Sequence, residues 1–191
     1  MIIGICGKSG CGKTTLANYM LELTGNKGIH LDMDKVGHHA LLLPEVQQKL
    51  IKTFGKDVVK NDLVDRKALG RIVFSSEEEM QKLTDITWEA MQVEINEFLR
   101  VNQGKIIILD WLLLPKTQYF DMCDIRILLD IPYEIRKQRA MARDNITEEQ
   151  FDLRDKSSLE YDKESFDYVL STNDKEELRK VNLYDKSIIH R

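Results

Sequence analysis

The sequence predicts an α/β fold in which a central parallel sheet carries helices on both faces, in three layers (α/β/α). Short runs of β-branched residues alternate with longer helical patterns along the chain, and this alternation is typical of successive βαβ units. Residues 106–109 are continuously apolar, and residues 125–129 form a second run that is apolar except for Arg126, as expected for strands that are covered on both faces. The chain has 191 residues, of which 42% are hydrophobic, so we expect one domain over residues 1–191 with a sizeable core.

The first third of the chain supplies the first two strands of this sheet. A strand over residues 2–6 leads into a glycine-rich loop. A helix over residues 14–23 follows, because apolar residues recur on one face, and Gly25 with Asn26 marks its end. A second strand over residues 28–31 then ends at an aspartate.

The middle of the chain is mainly helical. An apolar stripe over residues 46–54 predicts a helix that Gly55 closes, and Asn61 with Asp62 marks a turn. A capping-box pattern at residues 75–79 predicts the start of a long helix that keeps one apolar face as far as residue 98.

The last third returns to alternating strands and helices. The apolar strands at residues 106–109 and 125–129 each end at an aspartate. Pro132 suits the first position of a helix that continues to Arg143. Residues 168–170 predict a last strand, and Asp174 predicts the cap of a terminal helix.

Composition excludes several classes of protein. The chain carries 28 Lys and Arg against 32 Asp and Glu, a net charge of −4, which argues against sequence-independent nucleic-acid binding. Three cysteines at irregular spacing form neither a disulfide framework nor a zinc ligand set. The apolar start stops at Gly7 and has no basic region, so we expect no signal peptide, no membrane span and a cytoplasmic protein.

A phosphate-binding motif follows the first strand. The pattern G-x-x-x-x-G-K-[ST] is met by Gly7, Lys8, Ser9, Gly10, Cys11, Gly12, Lys13 and Thr14, with Thr15 directly after it. In this P-loop, backbone N–H groups and a helix N-terminus surround phosphates. Lys13 would reach the β- and γ-phosphates and the Thr14 hydroxyl would bind Mg²⁺. The motif therefore predicts the P-loop NTPase fold, with ATP and Mg²⁺ as ligands.

Aspartates follow two of the predicted strands. Asp32 and Asp34 come after the second strand, where a carboxylate can take a proton from an attacking hydroxyl or hold Mg²⁺ through water. Helix capping is the alternative role for this pair. Asp110 ends an apolar strand in the position of a metal-binding Walker B aspartate, and turn formation is its alternative.

Three arginines share one face of a predicted helix. Arg136, Arg139 and Arg143 are spaced three and four residues apart. Arginine supplies the cations that a migrating phosphoryl group needs. We expect Arg139 and Arg143 to bind the nucleotide, with Arg139 and Lys13 acting in catalysis. Arg136 fits better on a solvated basic face paired with Glu148 and Glu149.

Taken together, these residues resemble the dephospho-CoA kinase family, P-loop kinases of the nucleoside-monophosphate-kinase type. The resemblance covers about residues 1–175 and lies in residues 7–15, the Asp-x-Asp at 32–34, residues 54–74, residues 112–114, Arg139, Arg143 with Asp144, residues 167–169, and Asn173. It implies a helical substrate-binding insertion at about 35–100, a small lid at about 139–165, and a nucleotide contact at Asn173. It also implies transfer of the ATP γ-phosphate to the ribose 3′-hydroxyl of dephospho-CoA, the last step of coenzyme A biosynthesis.

Two alternatives remain open on the sequence. The substrate-facing and lid positions depart from the family pattern at Thr87, Trp88, residues 112–116 and residues 157–158, which would suit another small-molecule kinase of the same fold. A nucleotide-dependent switch is the third possibility, although no N-K-x-D guanine-specificity motif is present. In each case the expected partner is a small molecule, with no nucleic acid or membrane, and the oligomeric state is left open.

Overall fold

The computed structural model describes residues 1–24 and 27–171. The elements in chain order are β1 (Ile2–Cys6), α1 (Lys13–Thr24), β2 (Gly28–Asp32), α2 (Met33–Ala40), α3 (Pro44–Phe54), β3 (Val59–Lys60), β4 (Leu63–Val64), α4 (Arg66–Val73), α5 (Glu77–Val101), β5 (Ile106–Asp110), α6 (Gln118–Asp121), β6 (Ile125–Leu129), α7 (Tyr133–Asp144), α8 (Glu148–Lys156) and β7 (Tyr168–Leu170).

The chain divides into two compact units. Of the described residues, 1–24, 27–32 and 102–171 form the first unit, and residues 33–101 form the second. The range of the second unit lies close to the insertion expected at about 35–100, whose substrate-binding role stays a prediction. The boundary falls between Asp32 and Met33, so the first aspartate of the Asp-x-Asp motif belongs to one unit and the second to the other.

The described residues of the first unit form a five-stranded sheet in the order β2-β5-β1-β6-β7. Every neighbouring pair is parallel, which confirms the predicted parallel sheet. The strands match the apolar runs of the sequence, except that β2 and β5 each include the aspartate that ends the run.

Both faces of this sheet are covered. Ile3 and Ile5 of β1 pack with Leu16 and Met20 of α1 in one apolar core. Gly4 lies between them and faces the opposite side, because successive residues of a strand alternate. A Cβ atom at Gly4 would lie 2.8 Å from Cys123 Sγ, so a second packed layer covers that face. The predicted α/β/α layering is therefore confirmed.

Three helices of the first unit differ from the sequence interpretation, and one of them, α6, was not predicted. Pro132 is the N-cap of α7, and the helix begins at Tyr133, so the prediction that Pro132 is the first helical residue is wrong by one position. The short polar segment that forms α8 was not predicted, although Thr147 and Gln150 form a complete capping box at its start. Its weak apolar face explains why a search for periodicity does not find it.

The second unit packs helices α2 to α5 and the hairpin of β3 and β4. Its core includes Val46 and Leu50 of α3 with Leu69 of α4. Asn61 and Asp62 adopt positive φ at the hairpin turn, which confirms the predicted turn. Among the residues described, no helix is both long and apolar enough to cross a membrane.

Candidate active site

The phosphate loop lies between β1 and α1, and close packing determines where it needs glycine. Gly10 has φ +79°, and a Cβ atom there would lie 2.2 Å from the carbonyl oxygen of Arg136. Gly7 is constrained in the same way, because a Cβ atom would lie 2.6 Å from Cys11 Sγ. Only glycine fits both positions, so the loop is held in one shape against α7 and β6.

Lys13 and Thr14 lie at the start of α1, beside this loop. The ammonium group of Lys13 donates to the Gly7 carbonyl oxygen at 3.0 Å, and Thr14 and Thr15 are exposed in the first helical turn. That turn contains no acidic residue, so the positive end of the helix dipole is not neutralised locally. Lys13, Thr14 and Thr15 thus lie at a helix N-terminus beside the loop, and a helix N-terminus of this kind suits a phosphate chain.

The remaining loop residues have different surroundings. Lys8 forms an ion pair with Glu160, and Ser9 is half-buried. Cys11 is fully buried, and burial raises the pKa of its thiol. At Cys11 the backbone is therefore the part of the residue that a nucleotide can reach.

A cavity of about 370 Å³ joins the loop to the arginines of α7. It is lined by Gly10, Gly12, Thr15, Arg139 and Arg143. The structure thus brings together the two groups of residues that the sequence predicted for nucleotide binding, although they lie more than 120 positions apart. Because two of its five lining residues are arginines, the cavity favours an anionic ligand.

The last arginine of this set is held by a neighbouring carboxylate. The guanidinium of Arg143 donates from Nε to Asp144 Oδ1 at 2.7 Å and from Nη2 to Oδ2 at 3.0 Å. Arg154 of α8 also pairs with Asp144. Arg143, and after it Arg154, holds the pKa of the Asp144 carboxyl below its usual value. Asp144 therefore stays ionised and orients Arg143 at the mouth of the cavity.

Arg136 does not lie on a solvated face, so that expectation is wrong. Its side chain is 7% exposed and pairs with Asp155, while its Nε donates to the Ile131 carbonyl oxygen at 2.9 Å. Lys137, the next residue, makes the contact with Glu148 that was expected of Arg136. The spacing of three and four residues could not separate Arg136 from Arg139 and Arg143, because it is the pairing with Asp155 of α8 that covers Arg136.

Replacing Arg136 with methionine should destabilise the protein strongly. Arg136→Met keeps the apolar stem but leaves the half-buried Asp155 carboxylate without its partner, which typically costs about 3–5 kcal/mol. The free energy of unfolding in urea measures the effect. Lys82→Met, which removes an exposed ion pair on α5, is the matched control and should shift the midpoint little. An unchanged midpoint for Arg136→Met would show that this pair does not support the fold.

The predicted carboxylates lie at the ends of strands or at the start of a helix. Asp32 and Asp110 end β2 and β5 and are register partners. Asp34 lies in the first turn of α2, in the second unit. Asp110 is almost fully buried, and its Oδ2 lies 2.9 Å from His30 Nε2. No pattern in the sequence singles out His30 as a partner of Asp110.

The described residues offer a partial rather than a complete set of metal ligands. No group of three or more His, Cys, Asp or Glu side chains in residues 1–24 and 27–171 is arranged to hold a metal ion. Mg²⁺ in nucleotide enzymes is held by one or two protein groups, substrate phosphates and water. The Thr14 hydroxyl and the Asp110 carboxylate fit that requirement, because they would be the one or two protein groups, and phosphates and water would supply the other ligands.

Two further contacts, made by Tyr161 and by Glu160, could not be predicted from any pattern in the sequence. The hydroxyl of Tyr161 donates to the Leu112 carbonyl oxygen at 2.9 Å, and burial is the main reason that its pKa is raised. With the pair of Lys8 and Glu160, this contact brings the segment after α8 beside the phosphate loop. The segment falls in the range 139–165, whose role as a lid stays a prediction. Asn173 lies outside the described residues.

Comparison with known proteins shows the family of this chain. The dephospho-CoA kinase family model matches residues 1–177. The chain belongs to the dephospho-CoA kinase family. The dephospho-CoA kinase of Aquifex aeolicus is 34% identical over 176 residues, which are 90% of this chain and 88% of the relative. That of Fusobacterium nucleatum is 33% identical over 161 residues, 83% and 81% of the two chains. Membership of the dephospho-CoA kinases makes this chain an ATP-dependent phosphotransferase rather than a nucleotide switch.

Solved structures confirm the P-loop kinase fold. A Thermus thermophilus protein superposes with a TM-score of 0.75 at 25% identity, over 94% of this chain and 92% of that chain. The dephospho-CoA kinase of Campylobacter jejuni gives 0.59 at 23% identity, over 94% and 92%. A shikimate kinase from Acinetobacter baumannii gives 0.52 at 17% identity, over 94% and 89%. The last two likenesses concern the fold alone.

Proposed function

We propose that this chain transfers the γ-phosphoryl group of ATP to the ribose 3′-hydroxyl of dephospho-CoA, the last step of coenzyme A biosynthesis. The observation that carries the proposal is the cavity in which the phosphate loop meets Arg139 and Arg143, in a chain of the dephospho-CoA kinase family. We place the reaction in the cytoplasm, since Cys6, Cys11 and Cys123 are all free thiols. The substrates are small molecules, and the net charge of −4 does not favour a nucleic-acid partner.

The phosphates would be bound by the loop and by three cationic side chains. Backbone N–H groups of residues 7–12 and the N-terminus of α1 would hold the β-phosphate. Lys13 and Arg139 would stabilise the charge that develops on the transferred group, and Arg143, oriented by Asp144, would hold the nucleotide in place. Mg²⁺, when bound, neutralises phosphate charge, and Thr14 with Asp110 would hold it, the latter through water.

The acceptor hydroxyl needs a group that takes its proton. Asp32 ends β2 in the first unit, and ligands of doubly wound sheets bind at the carboxyl ends of the strands. Asp34 is two residues further on, in the first turn of α2. Either carboxylate would accept the proton as the hydroxyl oxygen attacks phosphorus, and both assignments remain part of the proposal.

A panel of acceptors tests this function. The purified protein is incubated with ATP and Mg²⁺ and with dephospho-CoA, a nucleoside, a nucleoside monophosphate or shikimate, and ADP formation is followed. We expect ADP only with dephospho-CoA, together with a product heavier by one phosphoryl group. ADP formation with another acceptor alone would identify a different small-molecule kinase. No acceptor-dependent ADP at all would contradict the proposal.

A further inference from the structure

Two carboxylates occupy adjacent positions at the carboxyl edge of the sheet. Asp32 of β2 and Asp110 of β5 are register partners in a parallel pair, so their side chains leave the same face of strands about 4.8 Å apart. Like charges directly opposite each other destabilise a sheet. A hydrogen-bond donor to one of the two carboxylates would therefore stabilise this edge of the sheet.

His30 supplies that donor. It precedes Asp32 by two residues in β2, so both side chains lie on the same face. Its Nε2 is 2.9 Å from Asp110 Oδ2, and the side chains are only 11% and 2% exposed. A carboxylate oxygen can only accept, so the imidazole N–H donates. A buried carboxylate requires such a partner.

Asp110 also lies beside the start of the phosphate loop. It is the register partner of Ile5, and Ile5 precedes Gly7 by two residues. Ile5 and Ile108 both pack in the core that includes α1, so Asp110, two residues after Ile108, faces that same side of the sheet. The orientation of its carboxylate therefore matters to whatever binds between the loop and α1.

We propose that His30 is a positioning residue for Asp110. Its Nε2–H occupies Oδ2 of the carboxylate, which leaves Oδ1 for the water shell of Mg²⁺ and keeps Asp32 separate for the acceptor. This inference rests on the proposed role of Asp110 in metal binding. Groups that orient a metal-binding carboxylate in this way typically change metal affinity 10–100-fold when they are removed.

Three variants of His30 separate orientation from simple packing. His30→Leu removes the donor and keeps an apolar side chain. His30→Gln places an amide nitrogen at about the reach of Nε2, whereas the amide of His30→Asn is too short. His39→Leu is the matched control, because His39 makes the same kind of contact with Glu94 at 2.9 Å but is 60% exposed, in the second unit.

The first measurement is the affinity for a non-hydrolysable ATP analogue, by calorimetry, with Mg²⁺ and with EDTA in its place. We expect His30→Leu and His30→Asn to bind the Mg²⁺ complex about 10-fold more weakly than the unmodified protein, with no difference in EDTA. His30→Gln should recover most of the loss, and His39→Leu should bind normally. Equal weakening in Mg²⁺ and in EDTA would overturn the proposal, as would a His30→Gln variant no better than His30→Leu.

A second measurement uses the unmodified protein and so does not depend on how any variant folds. The imidazole ¹⁵N shifts of His30 report which nitrogen carries the proton. We expect an Nε2–H tautomer whose shifts change when Mg²⁺ is added to the analogue complex, and shifts that ignore the metal would count against the proposal. Neither measurement needs dephospho-CoA, so a failure of the acceptor panel would leave this result interpretable by itself.

Discussion

Lys13→Ala should lose nearly all phosphoryl transfer while remaining folded. The ammonium group lies at the start of α1, 3.0 Å from the Gly7 carbonyl oxygen, where the β- and γ-phosphates would bind. Removing one preorganised donor from a developing negative charge typically lowers kcat about 10²–10³-fold. The measurement is ADP formation under saturating ATP, Mg²⁺ and dephospho-CoA.

The control for this experiment is Lys27→Ala. Lys27 is exposed and lies just before β2, so the same change of charge should leave the rate unaltered. The unfolding midpoint of Lys13→Ala should also be close to that of the unmodified protein, since its bond to Gly7 is a single hydrogen bond. A near-normal rate in a folded Lys13→Ala protein would refute the assignment of the phosphate loop.

Arg139→Ala should lower kcat about 10³-fold, because an arginine that stabilises the charge of a transferring phosphoryl group contributes about 10³–10⁵. Arg139 lines the cavity beside Gly10 and Gly12 and is exposed on α7, so its loss should not affect the fold. Arg139→Lys keeps the charge but lacks the planar guanidinium group, so its kcat should lie between those of Arg139→Ala and the unmodified protein. The kinetic signature is a fall in kcat larger than any rise in KM for ATP.

The matched control for Arg139 is Arg100→Ala. Arg100 pairs with Glu97 at the exposed end of α5, so its removal should change neither kcat nor the unfolding midpoint appreciably. If Arg139→Ala raised only the KM for ATP, the side chain would bind the nucleotide equally in the ground and transition states. Its proposed part in the transfer step would then be wrong.

The strands of the first unit were predictable because their sequences carry a strong local signal. A continuous apolar run such as residues 106–109 of β5 is typical of a strand in a sheet with two covered faces, and the structure places it in such a sheet. The turn at Asn61 and Asp62 was predicted, but the strands β3 and β4 beside it and the helices α2, α4, α6 and α8 were missed. These elements are short, and packing against neighbours rather than local periodicity determines their conformation.

The part of the candidate site that lies within the P-loop motif could be predicted from the sequence. Residues 7–14 form a continuous stretch whose residue types have only one common use, and the cavity at Gly10 and Gly12 agrees with that use. The arginines of α7 were harder, since three residues on one face look equivalent in sequence. The structure separates Arg136, buried against Asp155, from Arg139 and Arg143 at the cavity.

The sequence by itself determined the P-loop motif and the parallel sheet, because these features depend on local residue order, and it predicted which cations would meet the phosphates. The tertiary structure alone decided which groups pair across the chain. Asp110 is held by a histidine 80 positions away, and Arg136 pairs with Asp155 instead of facing solvent. Hydrogen bonds between distant residues leave no spacing in the sequence, and a buried charge finds its partner only when the chain is packed. The predicted α/β fold is therefore confirmed, and the structure adds the contacts that orient the charged groups of the protein.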